Sequence, residues 1–398
     1  MALQPATGVR DLNPGEVERN RSLCERLAAV YRLWGYRQVA PPTVERADTL
    51  EAGGAIDEQE VVRLVSGEPL GLRPELTAPI ARAASTRLAG LPRPLRLWSE
   101  GTIFRNAAGD AGPRIQEQLQ SGVELLGEPS AAADAELLRL LLAAAGSLGL
   151  EPRHQPRLLL GHHGLLTLLL ERIPDGLRPA VRTALSSLDA LALAQLPLEA
   201  QQRDWLLQLS RLRGEPATVL QTLRSWIGDH PLLGELEHTL KLVVPAAARH
   251  SVKLQLDPSF QPHFALYDGL VLKLVCQGSD APVEIASGGR YDALVGRFQT
   301  AADHAGQGDP SLASGVGFGF DIEAVRELPG LAAKGRDEAP RHLVAFSDGA
   351  GLAAALDALE QHHRDGLVAE LHGQPLADRN AAEQIAEARG CSGLTFLA

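Results

Sequence analysis

Cysteine is scarce in this chain. Cys24, Cys276 and Cys391 are the only three in 398 residues, and no two form a CxxC pair. That excludes a disulfide framework and a thiolate zinc site, and it fits a reducing compartment with three small buried hydrophobes. Long apolar runs are also missing. The greasiest stretch, residues 136–150, is too short to span a bilayer and carries Arg139. Residues 1–13 lack the apolar core of a signal peptide. A soluble cytoplasmic protein with no membrane role is expected. Positive charge is in deficit: 38 Lys and Arg stand against 49 Asp and Glu, a net charge of −11. Non-specific affinity for nucleic acid is therefore disfavoured, although a local basic patch is still compatible with it. Internal repeats and low-complexity tails are absent.

What remains is ordinary globular material, 45% apolar and 22% charged. The length predicts two or three domains with a sizeable core. Asn13-Pro14-Gly15-Glu16 spells a helix start, with a capping side chain, proline at the first position and an acid at the third. Leu23, Leu27, Val30 and Trp34 follow at helical spacing, and Gly35 ends the helix before a strand over 36–40. Leu72-Arg73-Pro74-Glu75-Leu76-Thr77 leads into a helix over 78–88. Strands are predicted over 95–105 and 117–126, joined by a Gly/Asp/Pro-rich loop at 106–113. Period-two alternation puts Gln118, Gln120, Gly122 and Glu124 on one face of the second strand, and Leu119, Val123 and Leu125 on the other. The polar face either meets water or forms a ligand platform.

Residues 130–255 are Leu/Ala/Arg-rich and read as mostly helical, with a short strand at 157–160. Strand character returns at 252–256, 264–275, 283–286 and 314–320. After a Pro/Gly-containing linker at 328–341 comes a small α/β module. Its elements are a strand at 342–346, a helix at 351–364, a strand at 367–371, a helix at 380–389 and a strand at 394–397.

Two runs carry the chemistry: Ser287-Gly288-Gly289-Arg290-Tyr291-Asp292-Ala293-Leu294 and Gly315-Val316-Gly317-Phe318-Gly319-Phe320-Asp321-Ile322-Glu323-Ala324. With the helix, strand and proline at the start, and the strand–loop–strand after it, they resemble a histidyl-tRNA synthetase in the right order over roughly 8–325. The resemblance implies an α+β, class II aminoacyl-tRNA synthetase-like domain over 1–327, dimerising through the first motif. Its mixed antiparallel sheet would be flanked by helices, with a helical insertion at about 130–250 and a separate C-terminal domain at 342–398. It also implies a histidine pocket. Glu75 and Thr77 would hold the ammonium with help from Gln120, Glu124 and Tyr267 would face the imidazole, Tyr291 would close the pocket, and Arg105 would serve the carboxylate. Each group has a structural reading beside this one. Glu75 can simply favour a helix dipole, Tyr267 can be a core aromatic, and Arg290 and Asp292 can pair with each other. Gly288-Gly289 allows a tight turn or a close backbone approach. The pairs His162-His163 and His362-His363 read as surface histidines, and no metal site or cofactor is expected.

Three departures separate the chain from that family. Phe104-Arg105-Asn106 is followed by Ala107 where the pattern has glutamate. Pro262-His263-Phe264-Ala265-Leu266-Tyr267 stands where the pattern has Arg-Gly-Leu-Asp-Tyr-Tyr. Ala324 replaces the arginine that lies along the ATP phosphates, and a methyl group cannot supply a guanidinium's fork of donors. A synthetase body without ATP-site residues is similar to the regulatory subunits of ATP phosphoribosyltransferase. That resemblance implies a non-catalytic partner of the short-form catalytic subunit, which condenses ATP with phosphoribosyl pyrophosphate. The chain would activate that subunit and carry feedback inhibition by free histidine. An active histidyl-tRNA synthetase and a stand-alone amino-acid-binding protein are the alternatives. A dinucleotide enzyme is disfavoured, because Gly315-x-Gly317-x-Gly319 is not GxGxxG. The C-terminal module has no basic stripe, so tRNA binding is not expected.

Overall fold

The computed structural model describes residues 4–52, 58–107, 114–260, 266–302, 313–331 and 340–398. The chain forms two compact units, Met1–Ala332 and Ala333–Ala398.

The first unit opens with α1 (Pro14–Leu33), and its start is the capping box that the sequence spells. The Glu16 N–H donates to Asn13 Oδ1 at 3.0 Å and the Asn13 N–H to Glu16 Oε2 at 2.9 Å. Leu23 and Leu27 are buried, while Val30 and Trp34 pack on the core from its margin. The strands that follow are β1 (Arg37–Gln38), β2 (Val44–Arg46), β3 (Arg63–Leu64), β4 (Leu70–Leu72), β5 (Leu95–Ala107) and β6 (Arg114–Leu126). Next come β7 (Arg157–His162), β8 (Lys253–Leu256), β9 (Leu270–Gln277), β10 (Pro282–Arg290) and β11 (Gly315–Asp321). Eight of them form one sheet in the order β1-β5-β6-β11-β10-β9-β7-β8. The five inner pairings are antiparallel and the two outermost are parallel. The sheet is mixed, mainly antiparallel and flanked by helices, as the resemblance implied.

Alternation decides which face meets helices. Val123 and Leu125 of β6 pack with α1 and with helix Ala131–Ser147, and Leu119 lies at the margin of the same core. Leucines of the helical segment, among them Leu137, Leu165, Leu206 and Leu240, share this core. Because β7 and β8 also extend the sheet, that segment is continuous with the synthetase-like body.

Several boundaries differ from expectation. The helix expected over 78–88 is Thr77–Ser85. Strand β5 runs to Ala107, since Asn106 and Ala107 still pair with Ile115 and Arg114; residues 108–113 of the expected loop lie outside the described residues. The strand expected over 264–275 starts at Leu270. Asp268 interrupts it, accepting the N–H groups of Asp292 at 3.1 Å and Ala293 at 2.6 Å. Strand β10 continues through Gly288-Gly289 to Arg290, so these glycines sit in mid-strand and make no turn.

The second unit is a parallel three-stranded sheet in the order β13-β12-β14, with β12 (Arg341–Phe346), β13 (Val368–Leu371) and β14 (Gly393–Leu397). Helices Gly351–Arg364 and Arg379–Ala388 join these strands. Val344, Phe346 and Ala355 form its small core.

Candidate functional site

The polar face of the central sheet carries two neighbouring cavities. The smaller is lined by Glu75, Thr77, Arg105, Gln120 and Tyr267, with Gly317 and Gly319 as its floor. The larger, about 280 Å³, shares Arg105, Gln120 and Ser287 with it and adds Gln118, Glu284 and Asp321.

The floor is glycine because side chains of the neighbouring strand β6 lie across it. A Cβ on Gly317 would stand 1.7 Å from Glu124 Oε2, and one on Gly319 would stand 2.6 Å from Gln120 Nε2. Gly315 carries the Tyr291 ring in the same way, with Cε2 at 2.4 Å from the added carbon. The Gly-x-Gly-x-Gly spacing thus clears one face of a strand for three polar side chains, which explains it without a nucleotide loop.

Glu124 and Tyr291 line neither cavity. They lie beside the cavities on the same face of the sheet, buried at 4% and 1% exposed, with the Tyr291 hydroxyl donating to Glu124 Oε2. Thr77 bridges this buried pair to the cavity, its hydroxyl donating to Glu124 Oε1 at 2.7 Å. Burial pushes the Glu124 carboxyl up to about 8; the donated hydrogen bonds oppose that shift and the nearby Glu75 adds to it. Glu75 combines two roles read from the sequence. Its carboxylate accepts the N–H groups of Thr77 and Ala78, capping helix Thr77–Ser85, and it also borders the smaller cavity. Burial raises its pKa despite those bonds. Arg105 lies across from it, with Nε donating to the Pro74 carbonyl at 2.8 Å. Burial lowers the Arg105 pKa, and the Glu75 charge acts against that. Tyr267 packs over Gly289, where a Cβ would come within 2.7 Å of its ring; the close-approach reading of that glycine is the one the geometry uses.

Arg290 and Asp292 pair with each other at 3.1 Å, and Arg290 also bridges to Asp134 at 2.8 Å. Both serve the architecture beside the site. The sequence reading missed Glu284 and treated Asp321 only as part of a lost motif. A β-bulge between Glu284 and Ala286 breaks the alternation that would have assigned Glu284 a face. Asp321 accepts Gln118 Nε2 at 3.1 Å on one oxygen, and the N–H groups of Glu323 and Ala324 at 3.0 Å on the other. His162 caps a helix, accepting the Gly164 N–H at 3.1 Å, and burial pushes its pKa down to about 4. Among the described residues no group of three or more metal-ligating side chains converges, and no helix is long and apolar enough to cross a membrane. The 262–265 part of the second departure lies outside the described residues.

A family model described as Histidyl-tRNA synthetase matches residues 8–325. The chain is 53% identical over 404 residues to the ATP phosphoribosyltransferase regulatory subunit of Synechococcus sp. (strain RCC307), covering 100% of both. It is 50% identical over 398 residues to that of Prochlorococcus marinus (strain MIT 9313), again over 100% of both. The chain belongs to the family of ATP phosphoribosyltransferase regulatory subunits. Its fold matches the crystal structure of an ATP phosphoribosyltransferase regulatory subunit/histidyl-tRNA synthetase from Bacillus halodurans C, with a TM-score of 0.80 at 24% identity, over 100% of this chain and 99% of that one. The histidyl-tRNA synthetase of Nostoc sp. PCC 7120 shares the fold at a TM-score of 0.77 and 18% identity, over 100% of this chain and 92% of that one.

In this regulatory-subunit chain Ala324 stands where the resemblance implies the synthetase arginine, and the next arginine along, Arg326, lines neither cavity. It is 3% exposed and donates to Asn20 Oδ1 of α1 at 2.9 Å. Among the described residues lining the two cavities, Arg105 is the cation.

Proposed function

We propose that this chain is the non-catalytic regulatory subunit of an ATP phosphoribosyltransferase, acting at the first step of histidine biosynthesis. It pairs with the short-form catalytic subunit, activates it and returns feedback inhibition when histidine accumulates. The observation that carries this reading is Ala324 at the motif position, with the next arginine, Arg326, buried against Asn20 of α1 and lining neither cavity. The cavities keep a carboxylate, a hydroxyl, an amide and one guanidinium, the partners that a free amino acid needs. Among the described residues that line them, the further cations that adenylation needs to stabilise phosphate charge in its transition state are missing; one such group supplies about 3 kcal/mol.

In this reading histidine enters the smaller cavity. Glu75, Thr77 and Gln120 take its ammonium, Arg105 takes its carboxylate, and Tyr267 and the Glu124–Tyr291 pair take the imidazole through Thr77. Binding biases one of two assembly states, so affinity for histidine and activation of the partner are linked reciprocally. Two copies dimerise through α1 and the strands after it, tRNA is not bound, and the protein works in the cytoplasm. An active synthetase is disfavoured by the buried bond from Arg326 to Asn20.

The test is histidine-dependent ATP–pyrophosphate exchange by the purified chain, beside histidine binding by calorimetry. Binding without exchange is the expected result. Turnover at synthetase rates would overturn the reading.

A further inference from the structure

The sheet ends at β8, and the outer edge of that strand is open over half its length. The N–H groups of Lys253 and Asp257 donate inward to the Pro156 and Leu160 carbonyls, each at 2.9 Å. In a parallel ladder alternate residues face alternate sides, so Leu254 and Leu256 present their backbone groups outward. Leu256 exchanges both bonds with Gly214, at 2.9 and 3.1 Å. There the short partner stops. Glu215 caps helix Pro216–Ile227 by accepting the Thr218 N–H at 3.0 Å, and Pro216 has no N–H with which to extend the ladder. Among the described residues no strand lies opposite Leu254.

Beside this edge runs an apolar groove of about 450 Å³, walled by Pro216, Val244, Ala247, Ala248 and Val252. Val244, on helix Pro231–Arg249, is 46% exposed and open to an incoming side chain. The rim is locally basic in a chain of net charge −11. Lys253 is exposed and has no ion pair among the described residues, and Arg157 bonds the Gln255 amide oxygen at 3.0 Å in place of a carboxylate. The one acid on the rim, Glu215, is engaged in its cap.

We propose that this edge and groove dock an extended, acidic segment of the catalytic subunit by strand addition. Main-chain bonds to Leu254 supply the alignment, an apolar side chain fills the groove against Val244 and Ala248, and a carboxylate meets Lys253. The lysine also selects the occupant. Two copies of this chain paired edge to edge about Leu254 would set each Lys253 opposite a Gln255 and offer it no carboxylate, so a second copy fits this rim less well than an acidic segment. The inference rests on the proposed partnership with a catalytic subunit.

The test measures binding of the full-length chain to the catalytic subunit, with hydrogen exchange at Leu254 in the free and bound states. V244E/A248E changes exposed positions and should leave the melting temperature and histidine binding unchanged while weakening the complex by at least about tenfold. K253E should weaken it several-fold and flatten its salt dependence. The Leu254 amide should become protected in the wild-type complex. A wild-type complex that forms with Leu254 unprotected, or that V244E/A248E leaves at full affinity, overturns the docking site but not the partnership. Loss of self-association in place of partner binding would make the groove a homotypic interface and likewise overturn the proposal. If the wild-type chain fails to bind the catalytic subunit at all, the partnership falls and the docking site with it.

Discussion

Tyr291 reaches Glu124 across an intervening strand because the residue between them is Gly317. Glu124 is on β6, Tyr291 follows β10, and β11 separates the two. A side chain on Gly317 would occupy the space of the carboxylate, with its Cβ 1.7 Å from Oε2. G317A should therefore lower stability by about 1–3 kcal/mol, the range for overpacking a filled core. Denaturant unfolding reads this directly, and wild-type stability would refute the geometry.

The same burial gives a pH signature. Glu124 is pushed up to about 8, so the folded chain holds a proton that the unfolded chain releases in the ordinary carboxylate range. The native state binds more protons through that interval, and stability falls as pH rises toward 8. The slope from this one group is at most about 1.4 kcal/mol per pH unit. E124Q keeps the shape and removes the proton, so the difference between its stability–pH curve and that of the wild type should isolate the slope. Parallel curves from mildly acidic pH to pH 8 would show that Glu124 titrates normally.

Removal of the carboxylate separates regulation from activation. E124A should abolish inhibition by histidine while leaving activation of the catalytic subunit largely intact. Inhibition at an unchanged histidine concentration would mean that the pocket lies elsewhere.

Arg290 is a structural cation. It is 8% exposed and bonds Asp134 through Nε at 3.0 Å and a terminal nitrogen at 2.8 Å. R290A leaves the partly buried Asp134 carboxylate without its partner and should cost about 3 kcal/mol, the low end for a broken buried pair. R290K should recover little of that, because an ammonium cannot span both contacts. A thermal melt close to wild type for R290A would contradict this assignment.

Legibility in the sequence followed how local each cause was. The α1 start rests on Asn13, Pro14 and Glu16, neighbours in the chain, and it could be read outright. The two faces of β6 follow from period-two alternation, which Leu119 and Gln120 obey with no knowledge of their partners. Non-local causes were hidden. Gly288-Gly289 resembles a turn until β11 is placed against it, where a Cβ on Gly288 would lie 2.2 Å from the Gly317 carbonyl oxygen. Glu284 enters the larger cavity through a bulge that no pattern announces. The burial of Glu124 depends on Tyr291, 167 residues away. The loss at position 324 was visible, but the direction of Arg326 needed α1 in place.

The most direct test is phosphoribosyl-ATP formation by the short-form catalytic subunit from the same organism, with and without this chain and with and without histidine. Strong activation that added histidine reverses is the predicted result. An unchanged rate, with no complex formed, would contradict the regulatory account.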